Sequence, residues 1–453
     1  MMLWISYVVT LVACASTFSK TEQVASHSPY FTVQNIQSEG YHAEAHHAVT
    51  NDGYKLEMHR IPYRRYENKG EVNRPIVFCM HGLLASSNSY IYLGPQYSMG
   101  YHLADAGYDV WIGNARGTKN SRHHITLDPD SSTEKFPFFD FSFEEIGMYD
   151  IATMVDYVLN YTGRPKLHYI GYSQGGTTFL VLNSMRPEYN EKFISAHLLA
   201  CVGYQNHFPS SQIARLSRLT DSLYSLTLSM GLVELFSPNS SSTTDKNVNN
   251  SSFDLCSNYA SFQSMCKMVV DNIQLENVDP DWIGGAAVKQ IAHYGQNIRD
   301  KAFTRWNYGL EKNVKLYGSE TPPSYNLSLI TVNTTLHYAT ADTIVDERDV
   351  LAMANDMPVT SARKVKRENF SHIEFTSSKD TKDLITDYII EAIAMAQKTI
   401  ANVMINSEKK NQEDNEIEDE SSASGSGYNP GNTFKLYLTA LSLLGQNFIN
   451  KQI

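Results

Sequence analysis

The sequence has no basic patch, no arginine-rich run and little cysteine, and each shortage removes a class of function. With 37 Lys and Arg against 48 Asp and Glu, the chain carries a formal charge of -11 at neutral pH. Nucleic acid is bound chiefly through cations clustered on its phosphates, so it is excluded as a partner. Only five cysteines occur in 453 residues, and none has the paired spacing of a zinc site. No cofactor is implied. No internal repeat is evident, which excludes solenoids and propellers. The N-terminal apolar run, residues 3–12, is shorter than the ~20 residues that span a bilayer.

That run is followed by Ala13-Cys14-Ala15, a small-x-small pattern, and reads as a secretory signal cleaved after Ala15. No Lys or Arg precedes it, which is unusual for such a signal. Seven Asn-x-Ser/Thr acceptors agree with secretion, at Asn160, Asn239, Asn249, Asn250, Asn326, Asn333 and Asn369. Without the signal four cysteines remain. Cys256 and Cys266 lie ten apart in a loop-rich stretch and form the expected disulfide of an oxidising compartment. Cys79 and Cys201 sit in strand-like apolar runs and read as buried small hydrophobes.

Composition, 42% hydrophobic and 19% charged, suits a globular chain with a sizeable core. Alternating runs flank Asn51-Asp52-Gly53, a hairpin signal. The continuous apolar run at 75–80 reads as a strand covered on both faces, and 108–112, 167–170 and 194–202 read as further strands. Apolar residues at helical spacing over 143–159 predict a helix before the third of these. Strand alternating with helix indicates an α/β fold with a mostly parallel, doubly wound sheet and flanking helices. The rhythm is lost from about residue 205 for some hundred residues, where 213–236 is Leu-rich and amphipathic. It resumes with strands at 334–340 and near Val365 and a closing helix over 382–405.

The expected organisation is therefore signal 1–15, core 16–204, insertion 205–310, core 311–405 and tail 406–453. Residues 407–420 hold seven acidic and two basic side chains, and composition assigns the tail to a disordered appendage. A lipid-anchor signal is the sharper alternative, with small residues at 424–427 before an apolar end.

The chemistry centres on Gly171-Tyr172-Ser173-Gln174-Gly175. This Gly-x-Ser-x-Gly match joins the 167–170 strand to a helix. On such a sharp turn the serine is strained, and glycines two residues either side leave room for strand and helix. A serine hydroxyl needs a general base, and the base needs a carboxylate to orient it, in the chain order Ser, Asp, His. Asp342 and His372 each follow a strand-like run downstream. Asp346 and Asp349 are rival acids, farther from the strand end. The oxyanion hole requires two backbone N–H donors, assigned to Leu83, in the His81-Gly82-Leu83 loop, and Gln174. His81 reads as structural, because its loop is there to shape the backbone.

Taken together these segments resemble the acid lipase family, the gastric and lysosomal type of α/β-hydrolase. The resemblance runs from about residue 40 to 375. It is carried by Asn51-Asp52-Gly53-Tyr54, Arg60-Ile61-Pro62, His81-Gly82-Leu83-Leu84-Ala85-Ser86-Ser87 and Asn114-Ala115-Arg116-Gly117-Thr118. The run 141–150, the serine pentapeptide, Tyr308-Gly309, Asn313, Pro322-Pro323-x-Tyr325 and Asp342-x-x-x-Asp346-x-x-Asp349-Val350 follow in order. The resemblance implies an α/β-hydrolase fold whose insertion is a cap with a mobile lid. It implies Ser173 as nucleophile, Asp342 as orienter, His372 as base, and Leu83 with Gln174 as the hole. In that sheet order the Ser173 strand separates those of Cys79 and Cys201 by roughly 9–10 Å, leaving two free thiols.

Three places depart from the family pattern: Ala339-Thr340 stands where glycines precede the aspartate, Glu374 where His-x-Asp is usual, and Ala200-Cys201-Val202 where an Ala-Pro pair is usual. The implied function is hydrolysis of neutral lipid esters, triacylglycerol or steryl ester, at a lipid–water interface by a secreted or lysosomal monomer. A short-chain carboxylesterase and a non-catalytic lipid-binding or storage relative are the alternatives.

Overall fold

A hairpin starts the sheet: β1 (Glu44–Val49) pairs antiparallel with β2 (Lys55–Ile61). Its turn is closed by Gly53, whose φ of +98° favours glycine. β3 (Ile76–Met80), β4 (Asp109–Gly113), β5 (Leu167–Tyr172) and β6 (Phe193–Leu199) are buried along their whole lengths. After the insertion, in which β7 (Glu234–Leu235) and β8 (Ala286–Ala287) form a two-stranded ribbon, come β9 (Thr334–Tyr338) and β10 (Thr360–Lys364). In this computed structural model the eight strands of the main sheet run in the order β1-β2-β4-β3-β5-β6-β9-β10, parallel from β4 onward. The described residues are 31–65, 67, 73–236, 267, 271 and 282–421, with side chains described only in part beyond 403.

Alternation along β3 shows how one strand builds two cores. Ile76, Phe78 and Met80 face one apolar layer, and Val77 and Cys79 face the other. A strand so placed can present no polar face, which is why the sequence reads as an unbroken apolar run. Cys79 and Cys201 are both buried and free, with β5 between the strands that carry and precede them. Burial pushes both thiols well up.

Three helical expectations change in detail. The stretch 143–159 is a short α-turn, then a π-helical segment Ile146–Ile151, then a helix Ala152–Thr162 closed by Gly163. A Cβ on Gly147 would lie 2.8 Å from the Thr178 carbonyl, so this segment packs backbone to backbone on its neighbour. The Leu-rich stretch of the insertion is two helices, Ser211–Leu216 and Thr220–Ser229, separated by a 3-10 turn. The closing helix, Asp387–Ser421, continues through the acidic stretch that composition assigns to a disordered appendage. Glu, Gln and Lys are good helix formers, and propensity outweighs the net charge there. Among the described residues no helix is long and apolar enough to cross a membrane.

Several of the sequence segments turn out to converge on one buried cluster. Arg116, only 1% exposed, bonds Asp150 through its backbone N (2.9 Å) and Nε (2.7 Å), and Asp52 through both terminal nitrogens. Its guanidinium lies 3.9 Å from the Tyr54 ring centroid. The hairpin turn, the loop after β4 and the π-helical segment are thus pinned together by one cation.

Candidate active site

Ser173 ends β5 and begins the helix Gln174–Met185 with φ +51° and ψ -112°, a strained conformation for a non-glycine residue. Its N–H donates to the Leu199 carbonyl at 2.8 Å, and its own carbonyl accepts from Gly176 N. The glycines explain themselves by distance. A Cβ on Gly171 would fall 2.6 Å from the Gly175 backbone, and one on Gly175 would fall 2.2 Å from the Met80 carbonyl oxygen. Both approaches are too close for any side chain.

Asp342 follows β9 and His372 follows β10, so both stand at the C-terminal ends of parallel strands beside Ser173. His372 Nε2 lies 2.9 Å from Ser173 Oγ, and His372 Nδ1 lies 2.8 Å from Asp342 Oδ2. With Nδ1–H donated to the carboxylate, Nε2 is left as the acceptor that can take the serine proton. The other Asp342 oxygen accepts from Ile344 N and Val345 N, which fixes the carboxylate. Tyr172 donates its hydroxyl to the His372 carbonyl at 3.1 Å and so ties the histidine loop to β5. All three side chains are buried.

The rival acids have other partners. Asp346 caps the helix Glu347–Asp356 and pairs with Arg348. Asp349 is buried against His207, accepting from its N and Nδ1. His81 also has both ring nitrogens engaged by backbone, at the Gly82 carbonyl (2.8 Å) and Ala115 N (3.1 Å). Burial pushes it down to about 4.

Leu83 and Gln174 flank the serine. A Cβ on Gly82 would meet the Tyr172 ring at 2.9 Å and the Ser173 Cβ at 3.1 Å, so the 81–84 loop presses directly on the elbow. Gln174 is the first residue of its helix, where a backbone N–H has no intrahelical acceptor. The departure at Glu374 has a structural account: its carboxylate accepts from Ser371 N and pairs with Arg367, bracing the histidine loop.

Ser173 and His372 open on a cavity of about 300 Å³. Its far wall comes from the insertion, with Ile213, Leu216, Leu223 and Leu232 and, on its helix Val288–Asp300, Ile291 and Ile298. Nothing in the sequence marks these residues individually, because an apolar wall has no motif. The Tyr172 tie was likewise unmarked. Among the described residues no cluster of three or more His, Cys, Asp or Glu is suited to a metal.

Asn160, Asn326 and Asn369 are exposed and Asn333 is half-buried. The leader 1–15, Asn239, Asn249, Asn250, the Cys256–Cys266 pair and the chain beyond 421 lie outside the described residues.

Residues 32–94 match the partial alpha/beta-hydrolase lipase region, and residues 75–375 match the alpha/beta hydrolase fold. "Lipase 1" of Drosophila melanogaster is 37% identical over 371 residues, covering 79% of this chain and 78% of its own. The gastric triacylglycerol lipase of Homo sapiens is 29% identical, covering 81% of this chain and 91% of its own. A "putative lysosomal acid lipase/cholesteryl ester hydrolase" of Crotalus adamanteus is 32% identical, covering 74% and 83% respectively. The chain belongs to the acid lipase family, the gastric and lysosomal type of α/β-hydrolase, and is a carboxylic ester hydrolase by that membership.

Proposed function

We propose that the chain hydrolyses triacylglycerol, cholesteryl ester or both. Ser173 is the nucleophile, His372 the general base and Asp342 its orienter. The observation that carries the reading is the hydrogen-bonded chain from Asp342 through His372 to Ser173, opening on an apolar cavity. Ser173 Oγ attacks the ester carbonyl as His372 Nε2 takes its proton. The oxyanion is held by the N–H groups of Leu83 and Gln174, and Asp342 stabilises the imidazolium. His372 returns the proton to the departing alcohol. Water, activated by the same histidine, then attacks the acyl-enzyme and releases the fatty acid.

Residues 205–310 are read as the cap and the flanking 16–204 and 311–405 as the core, because the cavity wall opposite the serine comes from the insertion. A monomer suffices, since one chain supplies every residue invoked. A secreted or lysosomal location follows from the signal-like start and the acceptor sites. The test sets emulsified long-chain triacylglycerol beside cholesteryl ester and a soluble acetyl ester, with fluorophosphonate labelling of Ser173. Labelling together with lipid ester turnover is expected. Turnover of the acetyl ester alone would leave an esterase, and no labelling would leave a lipid binder.

A further inference from the structure

The helix Val288–Asp300 reaches the nucleophile helix through two hydrogen bonds, one of them fully buried. Gln174 Nε2 donates to Gln290 Oε1 at 2.8 Å, and Tyr294 donates its hydroxyl to Thr177 Oγ1 at 2.9 Å. Gln290 is 2% exposed and Gln174 is 3% exposed. The segment leading into the same helix grips the loop on the other side of the serine. Gly284 N donates to the Leu84 carbonyl at 2.7 Å, Ile283 forms an antiparallel bridge with Ala85, and Gly284 O accepts from Lys119 N. One continuous limb, residues 283–294, therefore touches both backbone segments that flank Ser173.

We infer that Gln290 is a positioning residue for the oxyanion hole, holding Gln174 so that its N–H keeps its aim at the developing charge. This rests on the assignment of Gln174 and Leu83 made under Proposed function. Gln174 has a side chain long enough to swing, and among the described groups its Oε1 has no partner. Its bond to Gln290 is thus the tether that fixes the side chain. Losing that acceptor leaves a buried amide unpaired, and the residue that carries it must shift to recover one. Ser173 sits at a strained φ of +51°, so a shift at residue 174 relaxes the elbow away from the reactive geometry. Electrostatic stabilisation depends on donors that are already aimed, so a small rotation weakens the transition state while leaving ground-state binding almost untouched.

The experiment compares Gln290→Met, which keeps shape and removes the acceptor, with Gln290→Glu, which keeps an acceptor. Acetyl and long-chain esters serve as substrates, and thermal unfolding is followed in parallel. The expected result for Gln290→Met is a kcat lower by roughly tenfold on both esters, with KM changed less than about twofold. Phosphonate labelling of Ser173 slows in parallel, and Gln290→Glu recovers most of both rates. A kcat equal to wild type, or a loss confined to KM or to long-chain substrate, overturns the inference. A lower Tm with unchanged kcat overturns it as well, since that is what mere packing gives. Should Ser173→Ala itself retain turnover, the reading under Proposed function fails instead, so the two failures are told apart.

Discussion

The floor and the roof of the cavity are built on opposite principles. On the floor, at the ends of β5, β9 and β10, each reactive atom is held by directed bonds: Asp342 by two backbone N–H groups, His372 by Asp342 and Ser173. The roof, from the insertion, is a mostly apolar wall of aliphatic and aromatic side chains, joined to the floor by only a few directed bonds such as Gln290 to Gln174 and Tyr294 to Thr177. Directed bonds demand particular residue types at particular places, whereas an apolar wall asks only for volume. The difference teaches where chemistry and selectivity are stored.

The contrast can be broken from the floor first. Ser173→Ala removes the proposed nucleophile and is expected to lower kcat by up to about a millionfold, read from ester turnover on purified protein. Asp342→Asn keeps the shape and loses the histidine tautomer, which costs about ten-thousandfold in kcat. A Gly175→Ala change attacks the elbow itself. With the new Cβ 2.2 Å from the Met80 carbonyl, the expected outcome is loss of the cooperative thermal transition. On the roof the effect is smaller and selective. Ile291→Phe narrows the cavity and should lower kcat/KM for long acyl chains by about tenfold, with a lesser change for acetyl ester.

The smallest effect is a pH dependence. His81 and His293 are pushed down to about 4, and His168 and His197 to about 3, in each case first by burial. A histidine depressed in the folded state leaves the unfolded chain holding more protons below its ordinary value of about 6.5. The stability these groups contribute is therefore complete above that value and is lost as the pH falls toward 4 and 3. Burial holds His102 and His337 down as well, whereas Asp150, pushed up to about 6 by burial, runs in the opposite sense. Tm is expected to be lower at pH 4.5 than at pH 7, and an unchanged or higher Tm would count against the burial of these rings.

Legibility in the sequence follows the same division. β3 to β6 are buried throughout and mostly apolar, so the central sheet is legible in the sequence. Ser173, Asp342 and His372 were singled out by motif and chain order, and the structure brings them within hydrogen-bonding distance. Distance from the strand end already ranks Asp346 and Asp349 below Asp342, and the fold shows what they do instead: one caps a helix and the other holds His207. The π-helical turn at Ile146–Ile151 was invisible because a one-residue slip hardly alters a helical period. Gln290 gave no signal at all, since a tether between distant glutamines has no spacing. The helix through 407–421 is hidden in the sequence because its run of acidic charge obscures residues of good helix propensity.

The insertion lies between β6 and β9, which are neighbours in the sheet. Seen during synthesis, that arrangement sets a delay. The serine elbow is complete long before its histidine partner exists, because His372 is made 199 residues later, about 10–40 s at ordinary translation speed. The nascent chain must close the sheet across the whole insertion, a distant and slow pairing. Until that pairing is made Ser173 lacks its hydrogen bond to His372. On the proposed roles, hydrolytic power is withheld from the unfinished chain and arrives after the last strand, when the insertion that walls the cavity has already been made.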